Sequence, residues 1–276
     1  MRVRYEFSSR RTGRIEGTNK HRKSYPSVAR EVIRISDIVL EILDARFIEE
    51  TRNSEFEALA EKSGKKIVYV LNKADLVDIN EIKRKIELQN MQPYVFVSCK
   101  TREGISDLRD KIKIEVKKLS MKYKRAHVGV IGYPNTGKSS VINMLVGRPV
   151  ARTAAEAGFT RGVQKLRLAT GILILDTPGV IPEKETGTDK RNVEKHSQIG
   201  VKTWDKVKEP EMIVFGLMKK YPEIEKYYGI ECAGDVEVLI ENLGRKLNFL
   251  RKGGIVDNDK TARRILRDWQ EGKITS

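Results

Sequence analysis

The order of two short motifs constrains this chain more than any other feature. Gly132-Tyr133-Pro134-Asn135-Thr136-Gly137-Lys138-Ser139 has the spacing G-x-x-x-x-G-K-[ST] and follows the apolar run His127-Val128-Gly129-Val130-Ile131. Asn72-Lys73-Ala74-Asp75 has the form of a guanine-reading loop, which ordinarily lies downstream of such a phosphate loop. Here it comes 60 residues upstream, with Ser98-Cys99-Lys100 between the two. The parts of one site are therefore present in rotated order, which predicts a circularly permuted α/β sheet.

Hydrophobic periodicity fills in the elements. A short helix is expected through 28–34, a strand over 37–43 ending in Asp44-Ala45-Arg46, and a helix from Asn53 to Gly64. Lys66-Ile67-Val68-Tyr69-Val70-Leu71 is apolar and β-branched on both faces, as a buried parallel strand requires. A helix at about 79–90, a strand at 94–98 and a helix at 105–120 repeat the rhythm. The strand into the phosphate loop comes next, followed by a helix from Lys138 to about Leu145. Leu166 to Leu168 and Gly171 to Leu175 predict two consecutive strands, the second ending in Asp176-Thr177-Pro178-Gly179. A charged loop is expected to about residue 196. Beyond 200 only helical patterns remain, at about 206–218, 222–228, 235–248 and 258–270. The fold class expected is α/β: a mostly parallel sheet over residues 1–200 with a basic N-terminal arm, and a small all-helical, RNA-binding domain over 201–276.

No apolar run approaches the roughly 20 residues that span a bilayer. Nor is there an apolar segment behind the basic start Met1-Arg2-Val3-Arg4. Cys99 and Cys232 form no disulfide framework and, with three scattered histidines, no zinc cluster, so a reducing cytoplasm is expected. The net charge of +16 is concentrated at the ends, with net +7 in residues 1–30 and net +5 in 245–276. Such an excess attracts polyanions, with RNA the leading partner. An anionic membrane is disfavoured, because no strongly amphipathic basic helix with exposed aromatics is evident.

Each motif residue has a chemical reason. Gly132 and Gly137 let backbone N–H groups turn towards phosphates, Lys138 reaches the β- and γ-phosphates, and Thr136 and Ser140 complete the cradle and the first helical turn. Ser139 and Asp176 are the expected Mg²⁺ ligands. Thr160 is the candidate third ligand from the segment between them, with Thr153 also available. Gly179 is placed to sense the γ-phosphate through its N–H. Asp75 selects guanine, because a carboxylate accepts hydrogen bonds from N1–H and the exocyclic amine, whereas adenine would leave that charge unpaired. Asn72 meets the base edge and the phosphate loop, Lys73 covers the ring, and Ser98, Cys99 and Lys100 form a second base loop that works through backbone N–H. Val180 stands where a Ras-like switch carries a glutamine, so slow intrinsic hydrolysis is expected. Asn135 either offers a ligand to a monovalent cation or simply suits the loop's backbone.

These residues resemble the circularly permuted, ribosome-associated GTPases of the YlqF/RbgA and YawG type. The likeness covers nearly the whole chain after residue 35. It adds Asp44-Ala45-Arg46, Val214-Phe215-Gly216-Leu217, Tyr221-Pro222 and Gly253-Gly254 with Asp257 and Lys260 to the nucleotide motifs. The resemblance implies a GTPase that assembles the large ribosomal subunit as a monomer, binding rRNA or a precursor particle and stimulated by it. It also implies Mg²⁺ and potassium, the latter through Asn135, and a hydrophobic residue at Val180. The family's N-terminal Gly-His-Met signature has no counterpart near Tyr25-Pro26-Ser27, and His21 is out of register, which leaves the water-activating group unassigned. Two other readings remain open on sequence: a GTPase acting on tRNA or a membrane-associated partner, and a non-hydrolysing nucleotide-binding scaffold.

Overall fold

Two apolar runs set the sheet. Strands β1 (Ile38–Asp44) and β2 (Lys66–Asn72) are buried along almost their whole length, as strands covered on both faces must be. With β3 (Tyr94–Val97), β4 (Ala126–Gly132), β5 (Gln164–Ala169) and β6 (Ile172–Asp176) they form one sheet in the order β3-β2-β1-β4-β6-β5. All neighbours are parallel except β5, which runs antiparallel to β6. The structure is a computed structural model that describes residues 24–85, 88–119, 125–149, 164–186 and 189–274. The strand feeding the phosphate loop, β4, is central. The three strands before it in sequence lie on one side and the two after it on the other, the permuted arrangement that the motif order predicts.

Alternate side chains of β1 pack on opposite layers. Ile38, Leu40 and Ile42 meet Leu108 and Ile112 of helix α5 (Ile105–Lys118) and Val141 and Ile142 of α6 (Lys138–Val146). Val39 and Leu43 share the other layer with Ala29 and Ile33 of α1 (Tyr25–Ile35) and with Phe56 and Ala60 of α3 (Ser54–Lys62). Each fully buried side chain of this kind contributes about 1.5–3 kcal/mol. Asn53 caps α3 by accepting from Phe56 N at 3.1 Å, the start that the sequence predicts. Two shorter helices, α2 (Ile48–Thr51) and α4 (Ile79–Lys85), flank it in the chain.

A third apolar cluster belongs to α7 (Lys190–Gln198), α8 (Pro210–Lys220), α9 (Glu223–Tyr228), α10 (Val236–Lys246) and α11 (Asn258–Gln270). Leu217, Leu239, Leu243, Ile265, Leu266 and Trp269 fill it, and Phe47 and Tyr133 enter it from the sheet. The Trp269 ring lies 5.9 Å from Phe47 and 4.5 Å from Tyr221.

The structure departs from expectation at three places. The helix expected at about 79–90 is described over Ile79–Lys85, and Leu88–Met91 forms a 3₁₀ turn instead. The helix expected from 206 begins at Pro210, whose fixed φ suits a first helical turn and whose missing N–H would be unpaired there anyway. The loop expected to about 196 contains α7, capped by Asp189 accepting from Arg191 N. That helix buries His196, Ser197 and Gln198 rather than an apolar stripe, so periodicity does not mark it. The expectations for the N-terminal arm and for Thr153 and Thr160 lie outside the described residues.

Candidate functional site

The carboxyl ends of four neighbouring parallel strands bring Asn72, Asp44, Gly132 and Asp176 to one edge of the sheet. Ligand sites of open α/β sheets form at this edge.

At the phosphate end, Gly137 has φ 90°, and a Cβ there would lie 2.2 Å from Asn72 Nδ2. Only glycine permits that approach. Asn72 Nδ2 donates to the Thr136 carbonyl at 2.8 Å, so the two motifs far apart in sequence are hydrogen-bonded in space. Thr136 Oγ1 donates to Tyr133 O at 3.0 Å, and the buried Lys138 ammonium donates to the same carbonyl. Gly179 closes over it, with its Cβ position 2.9 Å from Lys138 Nζ. Ser139 and Ser140 occupy the first turn of α6 and are half-buried. Val180 is buried and donates its N–H to Gly132 O at 3.3 Å, so its side chain serves packing.

Asp176 ends β6 opposite Val130 of β4. Both of its carboxylate oxygens are buried with no hydrogen-bond partner. Burial pushes the carboxyl up to about 6, against the pull of Lys138 and of the adjacent Thr177 N–H, which falls short of hydrogen-bond geometry. Burial likewise draws the Lys138 ammonium down to about 8. Each is a buried charge of the kind that an outside ion of opposite sign would neutralise, an anion at Lys138 and at Asp176 a hard dication that binds oxygen. Asp176 and Ser139 therefore fit Mg²⁺, while Thr160 lies outside the described residues. Among the described residues no cluster of three or more His, Cys, Asp or Glu offers another metal site.

At the other end, Ser98 Oγ donates to Asp75 Oδ1 at 2.7 Å and accepts from Thr101 N at 3.1 Å, which fixes the carboxylate's orientation. The two loops expected to share one base are thus joined. Asn72 Oδ1 is buried and unpartnered. Lys73 adopts φ 62° and places Nζ 2.7 Å from Asp44 Oδ2. Cys99 is half-buried, and its thiol is pushed up to about 11 by burial and by Asp75, which suits a backbone role better than a nucleophilic one. Lys100 is exposed.

Asn135 also adopts a left-handed backbone, φ 62°, and its Nδ2 donates to Gly200 O just after α7 at 2.5 Å. Sequence reasoning missed its neighbour Tyr133. That side chain is buried, its hydroxyl donates to Glu185, and Lys195 of α7 donates to both Glu185 oxygens at 2.8 and 2.9 Å. A residue at a variable motif position carries no signal of this kind. In the basic C-terminal stretch, Arg263 and Arg264 pair with Asp259 and Asp268 on the same helix, and Arg267 pairs with Glu271 just past its end.

Sheet order and loop geometry together define a P-loop fold whose strands are circularly permuted. A family model described as 50S ribosome-binding GTPase matches residues 127–231. An uncharacterized GTP-binding protein of Methanocaldococcus jannaschii is 37% identical over 254 residues, covering 90% of this chain and 65% of that protein. Nucleolar GTP-binding protein 2 of Saccharomyces cerevisiae is 33% identical over 251 residues, covering 88% of this chain and 50% of its own length. The chain thus spans about half to two thirds of these relatives. In structure it resembles GNP-bound YlqF from T. maritima, with TM-score 0.64 and 24% identity over 89% of this chain and 92% of that one. The chain therefore shares the fold of that YlqF structure and, over residues 127–231, matches the 50S ribosome-binding GTPase model.

Proposed function

We propose that this protein is a GTP-binding and GTP-hydrolysing switch that acts in assembly of the large ribosomal subunit, as a monomer in the cytoplasm, through rRNA or a precursor particle. The observation that carries the nucleotide reading is the junction of the two motifs: Asn72 on the Thr136 carbonyl at one end, and Asp75 held by Ser98 at the other. In this reading a nucleotide lies across the sheet edge, with the base on Asp75 and the phosphates on the Gly132–Ser139 loop. Asn72, Lys73, Asp75 and the Ser98-Cys99-Lys100 loop read the base. Thr136, Gly137, Lys138, Ser139 and Ser140 hold the phosphates.

Lys138 neutralises charge that grows on the β- and γ-phosphates as the bond to the leaving oxygen breaks. The Gly179 N–H holds a γ-phosphate oxygen. Ser139, Asp176 and Thr160 would hold Mg²⁺, which supplies further charge neutralisation when bound. Asn135 is the proposed potassium residue. No glutamine follows Gly179, so turnover by the isolated protein is slow and rises when a ribosomal particle is bound.

The ribosomal assignment is supported by the match to the 50S ribosome-binding GTPase model, by the likeness to a nucleolar GTP-binding protein and by the +16 charge. Residues from 201 onward are the proposed rRNA-binding part. Phosphate release from GTP, measured with and without large-subunit precursor particles and with ATP as competitor, tests the assignment. The expected result is particle-stimulated turnover that ATP does not inhibit. Equal competition by ATP would overturn the nucleotide reading, and no stimulation by any ribosomal particle would overturn the ribosomal one.

A further inference from the structure

Asp44-Ala45-Arg46 stands out in the sequence, yet nothing in nucleotide binding as derived above uses Arg46. Asp44 ends β1 beside Asn72, and the backbone around it is fixed. Ala45 N donates to Asn72 O at 2.8 Å, and Asp44 N donates to Thr51 Oγ1 at 3.2 Å. Its carboxylate is fully used. Oδ2 accepts from Lys73 Nζ at 2.7 Å and from Arg46 Nη2 at 2.8 Å, while Oδ1 accepts from Arg46 Nε at 3.0 Å and Arg46 N at 3.1 Å. Burial alone would raise this carboxyl, but the charges of Lys73 and Arg46 hold it well below the ordinary carboxylate range. The Arg46 and Asp44 side chains are only 3% and 1% exposed. A buried pair so complete is costly to assemble and is weak evidence for stability alone.

The remaining Arg46 nitrogen shows where the pair leads. Nη1 donates to the carbonyl of Trp269 in the last turn of α11, at 3.1 Å and 223 residues away in sequence. The same turn receives a second contact from the base-reading loop. Gly272 has φ 70°, and a Cβ there would lie 2.5 Å from Leu76 Cδ1, one residue after Asp75. Trp269 in turn donates Nε1–H to Gln198 O at the end of α7. Lys73, whose stem is expected to cover the base, is thus linked through Asp44 and Arg46 to α11, while Leu76 touches the same turn directly.

We infer that Asp44 and Arg46 are positioning residues through which guanine recognition at Lys73 and the seating of helix α11 depend on each other. The inference rests on the nucleotide reading given above. Its consequence is regulatory: a partner that pulls the last turn of α11 from Arg46 weakens hold on the guanine base. By linkage, guanine nucleotide tightens that turn by the same factor.

The test uses the full chain and R46K, which keeps a positive charge beside the buried Asp44 but cannot bond both carboxylate oxygens and also reach the Trp269 carbonyl. Amide hydrogen exchange is followed without nucleotide and at saturating GDP, and GDP affinity is measured on the same samples. In the wild type, GDP slows exchange at residues 137–142 and also at 268–273. In R46K the first protection remains and the second is lost, with GDP bound about tenfold more weakly, as expected for loss of one charge-assisted bond. Equal GDP-dependent protection at 268–273 in both proteins, or equal affinity, overturns the inference while leaving GDP binding intact. A wild type that binds no GDP overturns the nucleotide reading and this inference with it.

Discussion

Replacing Asp176 by asparagine is expected to stabilise the nucleotide-free protein while abolishing its hold on Mg²⁺–GTP. The carboxylate is 1% exposed, has no hydrogen-bond partner, and its carboxyl is pushed from the ordinary 3.8 to about 6. At 1.36 kcal/mol per pH unit, that rise sets an upper figure of about 3 kcal/mol for the cost of keeping the group ionised in the fold. Part of this returns when the carboxylate is removed. Lys138, already drawn down to about 8, loses the charge that favours its ammonium form, and the buried amide has unmet hydrogen bonds of its own. A net gain on the order of 1 kcal/mol remains, or roughly 2–4 °C in Tm for a chain of this size. The sign with pH follows from linkage. Because the folded pKa lies above the unfolded value, the wild type's contribution from this group is complete below about pH 4 and is lost as pH rises through about 6. The advantage of D176N should therefore be small at pH 4.5 and complete at pH 7.5. Calorimetric melting in chelator without nucleotide measures both. A lower Tm for D176N at pH 7.5 would refute the reasoning, since it would mean that Asp176 is held by contacts in the empty fold. With Mg²⁺ and a GTP analogue the order should invert, because only the wild type gains from binding.

Asp75→Asn should weaken GTP and favour xanthosine triphosphate, because an amide N–H can meet the extra carbonyl of xanthine; unchanged base preference in a competition assay would remove Asp75 from the base site. Ser98→Ala frees the Asp75 carboxylate from its 2.7 Å bond and should lower the GTP-over-ATP preference by about tenfold, read as the ratio of the two affinities. Turnover in KCl should exceed that in NaCl at equal ionic strength, with the difference erased in Asn135→Ala; no cation preference in the wild type with particles present would leave Asn135 as a residue chosen for its left-handed backbone and its bond to Gly200.

How much of this was legible in sequence depends on whether a contact leaves a local pattern. The permuted sheet was legible because motif order and β-branched runs such as Ile67 to Leu71 are one-dimensional signals. The places of Asn72, Lys138 and Asp176 in the fold were legible because each ends a strand or opens a helix within a fixed spacing. Tyr133 could not. Its place in the motif tolerates many side chains, and only the three-dimensional packing against α7 makes it a core residue. Helix α7 was hidden for a related reason, since the residues it buries are polar and break the apolar period. The Arg46 bond to Trp269 joins residues near opposite ends of the described chain through a backbone carbonyl, and a carbonyl has no sequence identity at all. Permutation itself explains why such ties exist. With Asp176–Gly179 preceding α7 in the chain, the helical unit is held against both ends of the candidate site: Asn135 on Gly200 at one, Arg46 on Trp269 at the other.

That geometry makes the central claim a matter of coupling rather than of charge. Six phosphate contacts alone would cost a protein on the order of a thousandfold in RNA affinity between 50 and 200 mM salt, and any basic chain would behave so. Sedimentation of the intact protein with large-subunit precursor particles, in GTP-analogue and GDP states at fixed salt, separates the two. The account predicts tighter retention in the GTP-analogue state and, reciprocally, tighter analogue binding when particles are present. Identical, equally salt-sensitive binding in both states would contradict it.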